Sequence, residues 1–404
     1  MTSEATRRDR LVGALLKAGR IRSDRVAAAM RAVPRHRFLP GVDPAVAYAD
    51  EAVPTRWSAD GRPTSSSSQP AVVAAMLEQL DVRPGHRVLE IGSGTGWNAA
   101  LLAHLAGPGG AVTTVDIDPE VATQARANLD TAGFGPARAG AAPAGAARAG
   151  AAPVDAAPVE VVCADGFAGR PETAPYDRVI VTAAARDLAP AWSRQLAPGG
   201  RLVLPLSLRG PQRSVAFEPA GDHLTSVSIV DCGFMPLQGE LAGVDPVRPL
   251  GRPGLFLRLE DSRPLDTAAL LAAWEGAPGP VTPVPLTPRE AYGGLRLWLA
   301  LRDPDAGDLT AVTDVLPMPT PVLVGAASLA ALLPHEKATA VRSFGPDGDA
   351  LAARLLAHVE DWVAAGRPAS DRLRIDAYPA GTPGPAGPPI LDLPYTRLAV
   401  YLGS

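Results

Sequence analysis

The sequence predicts an α/β protein built on a doubly wound sheet, followed by a second, smaller α/β domain. Three observations predict this. Between residues 71 and 230, short apolar runs alternate with helical patterns, and the last two runs form a hairpin-like pair. One run, Arg87–Ile91, opens into three glycines at alternate positions, Gly92, Gly94 and Gly96, and then into the helical pattern Ala99–Leu105. Strand, glycine turn and helix in that order form a ligand crevice at the carboxyl end of a sheet's first strand. After residue 243, proline-rich segments separate short apolar pieces, which marks a second domain.

At 404 residues the chain exceeds the usual size of one core, so two domains are expected: 1–243 and 244–404. Nearly half the residues are apolar and the net charge is only −4. Nothing in that balance attracts nucleic acid or an anionic membrane. No apolar run reaches the length of a membrane span and the N-terminal residues lack a signal-peptide core, so a soluble, cytoplasmic protein is expected. The two cysteines, Cys163 and Cys232, lie in apolar runs and read as buried thiols of a reducing compartment. The six histidines show no metal-ligand spacing, so no metal is expected.

In chain order, residues 9–19 are helical by pattern, and a second helix starts near Ser23-Asp24 and stops before Pro34. The arginines here, Arg35 among them, read as a solvated face. A polar loop, Ser58–Ser67, precedes Ser68-Gln69-Pro70. Pro70 suits a first helical turn and the serines suit its N-cap, opening the helix Ala71–Leu80. After the glycine turn, the run Val112–Val115 ends in Asp116, placed to meet a ribose. The helix Pro119–Thr131 leads into 136–158, where Arg138–Pro143 recurs almost verbatim as Arg148–Pro153; this tract is expected to be a mobile insertion. Strands follow at Val159–Cys163, Asp177–Thr182 and Arg201–Leu206, with a helix at Leu188–Leu196, and then Ser214–Phe217 and Leu224–Val230. The second domain offers Leu255–Leu259, Leu295–Leu301, Val322–Leu333, an amphipathic helix Asp349–Ala364, and strands at Arg372–Tyr378 and Arg397–Leu402. It shows no nucleophile-elbow pattern.

The dinucleotide fingerprint G-x-G-x-x-G does not fit, because its sixth position is Trp97 and the third glycine comes one residue early. The spacing Glu90-x-Gly92-x-Gly94-x-Gly96 with Asp116 downstream instead resembles the first motif of S-adenosylmethionine (SAM) methyltransferases. Further pieces are Val33-Pro34-Arg35, Phe38-Leu39-Pro40, Ala47–Asp50, Ser68-Gln69-Pro70, Ala164-Asp165-Gly166, Tyr176–Ala184 and Pro236–Ala242. Together they resemble the protein-L-isoaspartate O-methyltransferase family over roughly residues 10–243. The resemblance implies a Rossmann-like SAM-methyltransferase sheet with SAM as co-substrate. It implies that Glu90, Gly92, Gly94 and Asp116 hold the methionine part and ribose, and that Asp165 approaches the adenine. Ser93, Gly96, Asn98, Ile117 and Gly166 are expected as further cofactor contacts. Thr182 and Ala183 are expected to line the crevice where the methyl group is presented, and Ser68 matches the family's active-site serine.

Two features depart from the family. The approach from Pro54 to Ser68 is longer and serine-rich, and the common repair enzyme lacks the domain after 243. Such an extension resembles the actinobacterial methyltransferases encoded beside lanthipeptides and related ribosomally made peptides, which act on an aspartate of a constrained peptide. The expected partner is therefore a protein or peptide carrying Asp or isoAsp, a modified cyclic precursor peptide included. The ester would then close to a succinimide. The alternatives are general repair of isoaspartyl damage, a SAM-binding protein without catalysis, and a small-molecule or RNA methyltransferase. The last is disfavoured by the Ser-Gln-Pro element and by the lack of a basic or aromatic surface.

Overall fold

The computed structural model describes residues 3–58, 63–135, 156–243, 246–261, 263–311, 319–335 and 338–403. They form two compact units: Met1–Leu206 with Ser214–Ala242 and Pro394–Thr396, and Ser207–Arg213 with Gly243–Leu393 and Arg397–Ser404. Two short segments, 207–213 and 394–396, thus belong to the unit that a single cut at residue 243 would deny them.

In the first unit, α1 (Glu4–Lys17) and α2 (Asp24–Ala32) begin where the side chains of Ser3 and Ser23 accept from the Thr6 and Val26 amides. The Ser3 cap starts α1 earlier than the apolar pattern alone suggests. After the short α3 (Pro44–Ala47) comes β1 (Val53–Trp57), and the end of the predicted polar loop proves to be a strand, β2 (Pro63–Ser67), paired antiparallel with β1. Val53 pairs with Ser67 and Pro54 with Ser66, so the serines are strand residues rather than linker. They do not cap α4 (Pro70–Leu80) either. Gln69 holds the N-cap position without a side-chain bond, and Asp50 Oδ1 accepts from the Ala71 amide at 2.8 Å.

β3 (Arg87–Ile91), α5 (Trp97–Ala106), β4 (Ala111–Asp116), α6 (Pro119–Ala132), β5 (Val159–Cys163), β6 (Tyr176–Val181), α7 (Pro190–Arg194), β7 (Leu196–Ser207), β8 (Gln212–Ala220) and β9 (His223–Asp231) complete this part. The strands run in the order β9-β8-β7-β6-β3-β4-β5. β3 is parallel to β4 on one side and to β6 on the other, so the winding reverses at β3 and leaves a crevice beyond its carboxyl end. α5 is buried nearly all round, as expected of a helix at this position.

Three sequence expectations need correction here. The insertion lies outside the described residues as far as 155, but Ala157 is buried and donates to Ala103 O at 2.9 Å, and Pro158 O accepts from the Val112 amide. The described end of the tract, 156–158, is therefore packed. Cys163 is exposed and Cys232 half-buried, since Cys163 ends the edge strand β5. The helix expected to end at Leu196 stops at Arg194, and β7 starts at Leu196.

In the second unit, β10 (Val247–Pro249), β11 (Leu255–Arg258), β12 (Val281–Val284), β13 (Ala306–Ala311), β14 (Thr320–Val324), β15 (Leu329–His335) and β16 (Ala338–Phe344) form a sheet ordered β10-β11-β13-β14-β15-β16-β12. Every pairing in it is antiparallel. The run Val322–Leu333 is thus two strands, because Gly325 and Ser328 close a turn through Gly325 N–H to Ser328 O at 2.9 Å. Helix α8 is Thr267–Glu275, and α9 (Pro288–Glu290) continues through 291–295 into α10 (Arg296–Arg302). α11 (Gly348–Ala364) buries Leu351, Leu355, Val359 and Trp362, the i, i+4 stripe of an amphipathic helix. β17 (Leu373–Pro379), β18 (Ile390–Asp392) and β19 (Thr396–Leu402) follow, β18 and β19 antiparallel. Among the described residues, no helix is long and apolar enough to cross a membrane, and no cluster of three or more His, Cys, Asp or Glu is placed to hold a metal ion.

Candidate active site

The crevice beyond β3 is a cavity of about 460 Å³, within the range of small-molecule sites. Its floor is the glycine turn. Gly92 has φ +99°, and a Cβ there would stand 2.5 Å from Thr182 Oγ1, which instead donates to Gly92 O at 2.7 Å. Thr182 follows β6, so this bond ties the turn to the neighbouring strand. Gly96, at φ +84°, has another purpose: a Cβ would meet Ala125 O and the Leu129 side chain at 3.1 Å, on α6. Gly96 lets α5 and α6 approach, and it is not part of the cavity wall.

Two acids shape the wall. Asp116, at the end of β4, accepts from the Ser93 and Gly94 amides at 2.9 and 3.2 Å through Oδ2, and from the Asp118 amide at 3.1 Å through Oδ1. It braces the glycine turn, and since a carboxylate has about four acceptor sites, one remains for a ligand. Burial raises its pKa, and the three amide bonds oppose that shift. Glu90, the penultimate residue of β3, is fully buried. Glu90 lines the cavity; its Oε1 accepts from Asn98 Nδ2 at 2.7 Å, while Oε2 is buried without a hydrogen-bond partner. Burial pushes its pKa up to about 7.

Another part of the wall is Ser65–Ser67 of β2 and the next residue, Ser68. The segment is fixed from behind by Arg35, which the sequence pattern assigned to a solvated face but which is only 1% exposed. Its guanidinium donates to Ser67 Oγ (3.3 Å), Ser67 O (3.1 Å), Ser68 O (3.0 Å), Ala47 O (2.8 Å), Ala49 O (3.3 Å) and Glu51 O (3.0 Å). It also lies over the Trp97 ring, 5.3 Å from its centroid. Pro34 holds an extended backbone just before the turn Arg35–Phe38, which aims this side chain inward.

The cavity wall brings together Ser68, Glu90, Gly92, Ser93, Gly94, Asn98, Asp116, Ile117, Gly166, Thr182 and Ala183. Gly96 and Asp165 are the two expected contacts it does not include. Asp165 is turned away because Oδ1 accepts from the Phe167 amide and Oδ2 from the Glu240 amide, both at 2.9 Å. Sequence reasoning missed the wall formed by Gly233–Gln238, fixed where Ala184 exchanges backbone bonds with Met235 and Leu237 at 2.8 and 2.9 Å. The signal in the sequence is Pro236-Leu237-Gln238, part of the family resemblance.

Comparison with known proteins gives the family. A protein-L-isoaspartate O-methyltransferase of Methanopyrus kandleri is 40% identical over 240 residues, covering 59% of this chain and 94% of its own length. One of Methanoculleus marisnigri is 37% identical over 251 residues, covering 62% and 100%. A solved structure named protein-L-isoaspartate O-methyltransferase matches with a TM-score of 0.51 at 22% identity, covering 91% of this chain and 96% of its own; at that identity it speaks to the fold alone. The two relatives are matched over 94% and 100% of their own length by 240 and 251 residues, so they have no counterpart for most of the chain after 243, as the sequence suggests. The family model for protein-L-isoaspartate(D-aspartate) O-methyltransferase matches residues 6–242, and the chain belongs to that family of SAM-dependent methyltransferases.

Proposed function

We propose that this chain transfers a methyl group from SAM to the free carboxylate of an isoaspartyl or aspartyl residue in a protein or peptide. One observation carries the reading: a single cavity sets Ser68 and the Thr182-Ala183 edge against the glycine turn, Glu90 and Asp116. The residues fit SAM. Glu90 Oε2 is a buried carboxylate oxygen without a partner, which suits the ammonium of a methionine group. Asp116 keeps an acceptor site for a ribose hydroxyl. Gly166 and Ile117 offer apolar surface for a base. SAM, when bound, supplies an electrophilic methyl group on sulfur.

The chain's own work is placement. An aspartyl or isoaspartyl carboxylate has a pKa near ~4 and is ionised at neutral pH, so no general base is required. Ser68 orients it by donating a hydrogen bond, and the walls Ser65–Ser67 and Phe234–Gln238 exclude water. The ester formed carries a methoxy group, a far better leaving group than the oxide of a carboxylate. Attack on it by the next backbone nitrogen expels methanol and closes a succinimide, without help from the protein.

Repair of isoaspartyl sites is the substrate reading best supported, since the family model and the relatives carry that enzyme's name. A dedicated peptide, such as a cyclic ribosomal precursor, is the second reading. It is favoured by the β1–β2 hairpin that stands where the family has a short approach to the serine. Incubation with SAM and matched isoaspartyl and aspartyl peptides, read by mass spectrometry, tests both. Methyl gain on a generic isoaspartyl peptide supports repair. Gain on neither peptide refutes that reading.

A further inference from the structure

Arg35 does not line the cavity, yet what it holds does: Ser67, Ser68 and Trp97 are all wall residues. Its six hydrogen-bond acceptors are neutral, five carbonyls and one hydroxyl. The acid acting most strongly on it, Asp50, directs Oδ1 to the Ala71 amide instead. Among the described residues no carboxylate forms a direct ion pair with the guanidinium, which is buried. Burial lowers its pKa to about 10, which still leaves it charged at neutral pH. A buried cation without a counterion is costly to keep where only a loop clamp is needed, because a neutral donor could bridge carbonyls too. The charge gains a use when an anion arrives on the far side of Ser68.

We propose that Arg35 is the positioning residue for the methyl acceptor: it fixes the Ser68 backbone and sets a positive field behind it, so that this end of the cavity selects an ionised carboxylate over a neutral amide. The inference rests on the reading that Ser68 faces the acceptor. The planar fork suits both tasks, since it reaches the 47–51 and 67–68 segments at once, which an ammonium does not.

The test uses the full chain with Arg35→Gln, Arg35→Lys, Ser67→Ala and Ser68→Ala. Each is assayed on an isoaspartyl peptide, with the same peptide amidated at that carboxylate as competitor, and S-adenosylhomocysteine binding is measured by calorimetry. The wild type is expected to prefer the carboxylate by about tenfold or more. Arg35→Gln should lose that preference and about 100-fold in kcat, with homocysteine-nucleoside affinity unchanged. Arg35→Lys should keep most of the preference while kcat falls. A clamp without an electrostatic role would not move the preference. If Ser68→Ala slows turnover but Arg35→Gln keeps both kcat and preference, the inference is overturned while the function stands. If Ser68→Ala leaves turnover unchanged, the Ser68 assignment fails and the inference with it. Should Arg35→Gln not fold, Ser67→Ala and Arg35→Lys decide: slower turnover at unchanged cofactor affinity supports the proposal, and unchanged turnover overturns it.

Discussion

Glu90 makes cofactor binding depend on pH in a direction fixed by its burial. Its carboxyl moves from 4.5 to about 7 in the folded chain. At 1.36 kcal/mol per pK unit, keeping the charge there costs about 3 kcal/mol. The folded state then holds a proton that the unfolded state has lost between those two values. This group's contribution to stability is therefore most favourable below pH 4.5, declines as pH rises, and reaches its full penalty above pH 7. A ligand ammonium that requires the ionised form must displace that proton below pH 7. Affinity for S-adenosylhomocysteine should consequently rise by more than about tenfold from pH 5.5 to 7, with nearly one proton released at the lower pH. Calorimetry in two buffers of different ionisation enthalpy counts that proton. Glu90→Gln should flatten the profile and weaken binding by roughly 10–100-fold, the worth of a charge-assisted hydrogen bond of about 1.5–3 kcal/mol. It should also stabilise the ligand-free protein at pH 8. An affinity that does not change across this range, with no proton released, would show that Glu90 does not meet the cation.

Other consequences are more local. Gly92→Ala places a Cβ 2.5 Å from Thr182 Oγ1 at φ +99°, so it should abolish cofactor binding while Gly19→Ala, whose Cβ would meet nothing, spares it; equilibrium dialysis compares the two. Asp187 is buried and accepts from the Leu188 and Tyr395 amides and the Thr396 hydroxyl. Thr396→Val should therefore lower stability by about 1–3 kcal/mol in urea titration, and a chain cut at residue 243 should be less stable still. Removal of 137–155 with a short Gly-Ser link should leave the melting temperature nearly unchanged, whereas Ala157→Asp should depress it by several degrees, because Ala157 packs and bonds to Ala103.

What could be read from the sequence was what is local. β3, the glycine turn and α5 are contiguous, and Asp116 stands at a fixed offset from them, so the crevice and most of its floor followed from spacing. Partners far along the chain were not legible. Arg35 looked like its neighbours in an arginine-rich stretch, because its burial depends on acceptors 12 to 33 residues away. Asp165 sat in a matching motif, but the Glu240 amide that occupies it comes 75 residues later. Gly96 shared the spacing of Gly92, and only the position of α6 shows that it serves packing. The serines before Pro70 offered a capping signal that Asp50 fulfils from elsewhere in the chain.

The bonds of Asp187 to residues 395 and 396 join positions 208 and 209 apart. The catalytic unit is thus not a contiguous stretch of translation. At roughly 5–20 residues per second, the ribosome needs about 10–40 s to make the intervening chain. Through that interval the carboxylate has the Leu188 amide but lacks its two remaining donors. Folding of the methyl-transfer half therefore finishes only after most of the other half has been synthesised.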